Sequence, residues 1–281
     1  RSIEKRADSY LELALALAAS DQLESVVSLS KSPLYGRKFA SVYETLASVE
    51  INEASLGVAI EELAQEHCAE LAGVAVYGGD STFIQRAEAK TLKERSMKRL
   101  SQGELASGYE RYWSMRFADE QSSWAGVVKV QRMRWDETVS AVAKAHLQAL
   151  DLSATGQQLY LLDAGHGQDI LAAYPSCQQT DIVMPVKSNQ CFYFEPESKA
   201  KPRGRPQKHG LRFKLAAAEQ PEAEAVMTTV YKGKSLGISS WSKLHYQAYS
   251  QVKGRILKLE FLDEKAQPVF AKPIWLFTTN L

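Results

Sequence analysis

The sequence predicts a mixed α/β fold in which antiparallel and parallel strands share one sheet flanked by helices. Two stretches carry the prediction. Gly73-Val-Ala-Val-Tyr-Gly-Gly-Asp80-Ser-Thr82 and Gln158-Leu-Tyr-Leu-Leu-Asp163-Ala-Gly-His-Gly167 are short apolar runs that each end in an aspartate beside glycine, the pattern of a buried strand leading into a turn or a close backbone approach. Between about residues 73 and 186 the order reads strand, strand, strand, helix, strand, short helix, strand. If the two Asp-bearing strands lie side by side and parallel, Asp80 and Asp163 meet at one sheet edge.

Composition sets the frame. The 281 residues are 45% hydrophobic and 24% charged, with a net charge of +1, ordinary values for a soluble globular protein with ample core. Cys68, Cys177 and Cys191 lie far apart, so neither a disulfide framework nor a zinc site is indicated and a reducing, cytoplasmic setting fits. The longest apolar stretch, residues 11–19, is interrupted by Glu12 and is too short to span a bilayer. The chain opens on Arg1 instead of Met, which suggests that the true amino terminus lies upstream.

Residues 3–28 read as one helix, closed by Lys31-Ser-Pro33 and Gly36, and a second helix runs to about Val49. A third carries Leu56, Ala59, Ile60, Leu63, Ala64, His67, Cys68 and Leu71 on one helical face, placing His67 in a core. Residues 83–107 read as a solvated basic surface. Tyr109–Phe117 and 124–133, rich in aromatic and β-branched residues, predict an antiparallel hairpin. Asp136 offers a helix N-cap ahead of an amphipathic stripe of Val139, Val142, Ala143, His146, Leu147 and Leu150, with His146 again a core residue. A short helix over 168–174 and a strand over 181–186 follow, and Pro185 argues that this strand is an edge. The series resembles the ribonuclease-H-like arrangement, in which the first three strands are antiparallel and the first and fourth are central neighbours.

From Lys199 to Lys214 seven lysines or arginines occur with no acid. Arg203-Gly-Arg-Pro206 resembles an AT-hook, whose arginines enter a narrow minor groove; a basic loop of any conformation would equally attract a polyanion. Strands are predicted over 225–231, 238–249, 255–262 and 269–278. Leu257, Leu259 and Phe261 alternating with Lys258 and Glu260 indicate one wet face. The boundaries drawn are an N-terminal helical region over 1–70, a core over 71–195, and a basic arm with a β-rich region over 196–281.

Six segments together, GGDST at 78–82, SWAGVVKVQRM at 123–133, LLDAGHG at 161–167, VKSNQCFY at 186–193, GRPQKHGLRF at 204–213 and KPIWLF at 272–277, resemble the DDE transposases of bacterial insertion sequences, in the group whose ribonuclease-H-like domain is interrupted by a β-rich insertion. The resemblance implies an enzyme that cleaves transposon ends and joins 3′ hydroxyls to target DNA, with Asp80 and Asp163 as catalytic carboxylates holding Mg2+ or Mn2+. It also implies support from His166 and Thr82 and DNA contacts from Arg203, Arg205, Lys208 and Arg212. The partners implied are double-stranded DNA and a second copy of the chain on that DNA, in a bacterial cytoplasm near the nucleoid and with no membrane. Hard oxygen ligands favour magnesium or manganese over softer metals, and a cation relieves the repulsion of paired acids. The family's third carboxylate, a glutamate on a helix after the insertion, is not assigned; Glu260 and Glu264 read as surface residues. The chain is therefore expected to be truncated and not competent for catalysis alone. Two other readings remain: a catalytically silent DNA-binding or assembly module with the same fold, and a nuclease that hydrolyses without joining.

Overall fold

The computed structural model describes residues 2–20, 25–88, 93–100, 102–119, 125–196 and 207–280. It forms two compact units, Arg1–His67 and Cys68–Leu281. In the first, the predicted long helix is broken. Strand β1 (Ile3–Lys5) precedes helix α1 (Ala7–Ala18), and residues Val26–Lys31 form a 3-10 turn capped by the Ser25 side chain. Helix α2 (Phe39–Ser48), strand β2 (Glu50–Ile51) and helix α3 (Glu53–His67) follow. The break comes at Arg6, whose left-handed φ of 54° ends the pairing of β1 with β2 and starts α1. Leu13, Ala16, Leu29, Tyr35 and Val42 make the core, with the Ser9 and Thr45 hydroxyls hydrogen-bonded inside it at 2.5 Å.

Helix α3 exists as predicted, but its stripe is not a core. Ala64 is its one buried residue, Leu63 is 54% exposed, and His67 lies in the open beside Glu66. An apolar stripe states that a helix needs a partner surface; it does not supply one.

The second unit is built on a mixed sheet. Its strands are β3 (Ala75–Gln85), β4 (Ser96–Arg99), β5 (Leu105–Phe117), β6 (Ala125–Arg132), β7 (Gln158–Leu162) and β8 (Thr180–Pro185), then β11 (Ala225–Tyr231), β12 (Lys234–Leu244), β13 (Gly254–Leu262) and β14 (Ile274–Thr278). Strand β9 (Cys191–Tyr193) pairs separately with β10 (Arg212–Lys214). The order is β11-β12-β13-β14-β8-β7-β3-β5-β4, with β6 also on β5. Strand β5 runs antiparallel to β3 and to β6, whereas β7 and β8 run parallel to β3. Helix α4 (Val139–Ser153) packs on this sheet with Val142, Ala143, His146, Leu147 and Leu150 buried, the predicted stripe. Its N-cap is Thr138, which accepts from Ala141 N, and not Asp136, which pairs with Arg134. Residues 168–176 make two 3-10 turns instead of a helix.

Three further expectations are corrected. Strand β3 does not stop at Asp80; it continues to Gln85, and β4 adds a strand inside the stretch read as basic surface. Strand β8 is not an edge, because β14 pairs along its free side from Thr278↔Val183 to Leu276↔Pro185. Pro185 is tolerated by parity: the N–H groups of Ile182 and Val186 point toward the β14 side. The nitrogen of Pro185 therefore faces the β7 side, past the last β7 residue. On β13 the face read as wet is half-covered, with Lys258 over the Trp275 ring and paired with Glu260 at 2.9 Å. Leu257, Leu259 and Phe261 are half-buried.

The junction of α4 with β8 is pinned by one carboxylate. Asp151 accepts from the backbone N–H groups of Gln178, Gln179 and Thr180. Partial burial pushes its carboxyl up, but those hydrogen bonds outweigh burial and hold the group below the usual carboxylate range. A depressed folded-state pKa contributes stability above the unfolded value that is lost as pH falls through the folded one. Asp151→Asn is expected to cost about 1–2 kcal/mol at neutral pH. The gap in Tm between variant and parent should narrow below about pH 4, which thermal melts across pH will check.

Candidate active site

The parallel pairing of β3 with β7 runs from Ala75↔Gln158 to Gly79↔Leu162. The next rung of that register sets Asp80 beside Asp163, where β7 ends and β3 continues. The two acids predicted to converge are thus brought to one sheet edge by strand pairing. Asp80 is exposed, and its Oδ1 accepts from Ser81 N at 2.7 Å. Asp163 Oδ1 accepts from Gly165 N at 3.0 Å and from His166 Nδ1 at 2.5 Å. Among the described residues no hydrogen bond reaches Oδ2 of either acid, so each keeps an oxygen for a ligand.

The glycines before Asp80 serve close approach and not a turn. A methyl at Gly79 would lie 2.7 Å from Cζ of Tyr160 and closer still to the hydroxyls of Tyr112 and Tyr160; one at Gly78 would lie 3.0 Å from the Phe117 ring. The two phenols belong to a buried polar chain that sequence reasoning missed. His166, with a side chain only 1% exposed, bonds through Nε2 to Tyr112 Oη at 3.0 Å. Tyr112 bonds Tyr160 at 3.0 Å, Tyr160 bonds Ser114 at 3.0 Å, and Ser114 bonds His146 Nδ1 at 2.9 Å.

The direction of this chain follows from its end. A carboxylate only accepts, so His166 Nδ1 carries a proton, and in the tautomer with bare Nε2 that nitrogen accepts from Tyr112. Tyr112 then accepts from Tyr160, Tyr160 from Ser114, and Ser114 from His146 Nδ1–H. That leaves His146 Nε2 as a bare acceptor, and it is a buried atom without a partner. Burial first, then Tyr160, Asp80 and Asp163, push the Tyr112 hydroxyl far up, and burial raises Tyr160 as well. Both stay protonated donors. Burial, helped by Lys129, lowers His146 to about 4. The sequence signal was available: Tyr112, Ser114 and Arg116 are polar at period two on β5, and all three are buried.

The other predicted residues fall as follows. Thr82 is exposed, two residues beyond Asp80. Ser81 donates to Glu110 at 2.8 Å, and Lys98 pairs with the same carboxylate. Lys208 is exposed. Arg212 sits opposite Tyr193 on β10, donates from Nε to Cys191 Sγ at 2.9 Å, and lines an open cleft of about 500 Å³ with Gln168, Gln190 and Tyr246. Arg203 and Arg205 lie outside the described residues. His209 and His245 are hydrogen-bonded at 2.9 Å beside the arm. Glu260 is paired with Lys258, and Glu264 is exposed in the β13–β14 turn. Among the described residues no three His, Cys, Asp or Glu side chains cluster as a metal site.

Fold and site together define a mixed α/β protein that presents two exposed aspartates at the end of a parallel strand pair, backed by a buried hydrogen-bonded chain. No family model matches this chain, and no curated protein matches it.

Two outcomes test the site's construction. Gly79→Ala should cost about 1–3 kcal/mol by overpacking against Tyr112 and Tyr160, read by urea denaturation. His146 has a folded pKa below its unfolded one, so its contribution is complete above about pH 6.5 and declines as pH falls toward about 4. The Tm of His146→Leu should therefore change less over that interval than the Tm of the parent.

Proposed function

We propose that this chain carries the ribonuclease-H-like core of a DDE transposase, acting on transposon ends and target DNA by metal-dependent phosphoryl transfer. The observation that carries the reading is the β3–β7 register, which makes neighbours of Asp80 and Asp163 although 83 positions separate them in the chain. The strand order β6-β5-β3-β7-β8 with its antiparallel and parallel senses supports the fold assignment. The six sequence segments support the family.

The donor set fits a hard divalent cation. Magnesium takes one or two carboxylates and completes its shell with water and substrate phosphate oxygens, and Asp80 and Asp163 each offer a free oxygen. When bound, Mg2+ or Mn2+ would supply Lewis acidity at the phosphorus centre and toward the attacking oxygen. What the chain supplies is placement. Gly79 lets β3 sit on the two phenols, and His166 holds one oxygen of Asp163 so that the other points outward. Thr82 stands on the same strand face as Asp80, within reach of a substrate oxygen.

Arg203, Arg205, Lys208 and Arg212 are proposed to grip double-stranded DNA through its phosphates, in a homodimer assembled on that DNA within the bacterial nucleoid. Arg212 is rooted on β10, in the cleft beside the turn that follows His166. The resemblance implies a third carboxylate, and none of the described residues is assigned to it. Among the described residues no helix is long and apolar enough to cross a membrane.

Asp80→Asn and Asp163→Asn in the full-length protein should each reduce Mg2+-dependent cleavage of transposon-end DNA by about 100-fold or more, with DNA affinity changed less than about threefold. Each should also weaken Mn2+ binding measured without DNA. Cleavage at parental rates in either variant would overturn the assignment. DNA binding by a parent protein that never cleaves would make it an assembly module.

A further inference from the structure

The open face of the sheet carries a second group of residues to which the carboxylate site assigns no part. Unbroken pairing puts Thr82, Arg111 and Arg132 on one rung across β3, β5 and β6, and Asp80, Trp113 and Val130 on the next rung of the same face. Tyr109 shares this face, two residues along β5. The odd-numbered β5 residues from Ser107 to Phe117 are all half-buried, whereas Ala106, Gly108, Tyr112, Ser114 and Arg116 on the opposite face are buried.

Two arginines directly opposite each other across a strand pair repel. The Tyr109 ring compensates in part, with the Arg111 and Arg132 guanidinium carbons 5.7 and 4.9 Å from its centroid. Carboxylates do not compensate: neither arginine joins an ion pair among the described residues. Arg132 donates to the Lys93 carbonyl at 2.8 Å, and the Nε of Arg111 is buried without an acceptor. An anion accepted beside the two guanidiniums would relieve the repulsion.

We propose that Arg111, Arg132 and Tyr109 form a DNA-backbone subsite one rung from Asp80, gripping the strand that passes the carboxylate pair. Guanidinium forks match phosphate oxygens in bidentate fashion, and the Tyr109 ring holds both forks against the sheet. The position of the subsite relative to a scissile phosphate rests on the transposase reading; its binding of DNA does not.

The test is fluorescence anisotropy with a labelled DNA duplex, in the absence of divalent metal and over about 50 to 200 mM salt. For R111Q/R132Q, the slope of log K against log salt should fall in magnitude by about one for each arginine. The R111K/R132K variant keeps the charge and should keep most of the slope; it carries the comparison, against the parent and with thermal melts, if the glutamine variant fails to fold. An unchanged slope in a folded R111Q/R132Q protein overturns the proposal. So does a lysine variant that loses the slope while folded, or displacement of the duplex by polyglutamate as readily as by unlabelled DNA. A reduced arginine-variant slope in a protein that never cleaves DNA keeps this inference and sinks the transposase reading; the reverse pattern sinks this inference alone.

Discussion

The register between β3 and β7 is the constraint on which the rest depends. Parallel strands cannot slip by one residue without turning every side chain to the other face, and this pair is locked by buried Val76, Tyr77, Tyr160 and Leu162. The lock needs Gly79, because the space a side chain would take there belongs to two phenolic oxygens. An aspartate at the next position is thereby committed to one place. Its neighbour is committed by the same hydrogen bonds, so proximity of the acids is a property of the sheet and not of flexible loops.

Beneath those acids runs a buried polar chain. A carboxylate with an exposed outer edge is connected, through one buried imidazole, to three hydroxyls and a second imidazole, all neutral. Every link but the last has both donor and acceptor satisfied, which is what makes a buried polar chain tolerable. The one unpartnered atom, His146 Nε2, sits at the far end under α4. The cost of the network is thus placed away from the surface where ligands arrive, and the orientation of His166 is set by its depth.

Much of this was legible in the sequence. Apolar runs ending in Asp gave both central strands, and the stripe ending at Leu150 gave α4. The β11 bounds match the structure to the residue, because its β-branched residues and the Lys232–Gly233 turn are local signals. Other features turn on partners distant in the chain. Whether β8 is an edge depends on β14, almost a hundred residues later, and Pro185 alone cannot report that its nitrogen faces the side where β7 has ended. The exposure of His67 likewise depends on what covers α3, which a helical period does not encode. Tyr112, Ser114 and Tyr160 were passed over because they sit in strands that look apolar, where a hydroxyl reads as an ordinary interruption until its partner is seen. Arg111 and Arg132 escaped notice for a similar reason, since only the strand register reveals that they oppose each other.

The closure of β14 onto β8 bears on how such a chain can change length over evolution. Because side chains alternate, one residue added inside β14 ahead of Trp275 would send Trp275 and Phe277 outward and part them from Phe192 and Phe213. Gains or losses within that strand should come in twos. The turn at Asp263–Gln267, held by its own aspartate, can absorb odd numbers, so drift in chain length will accumulate there while the strands keep their count.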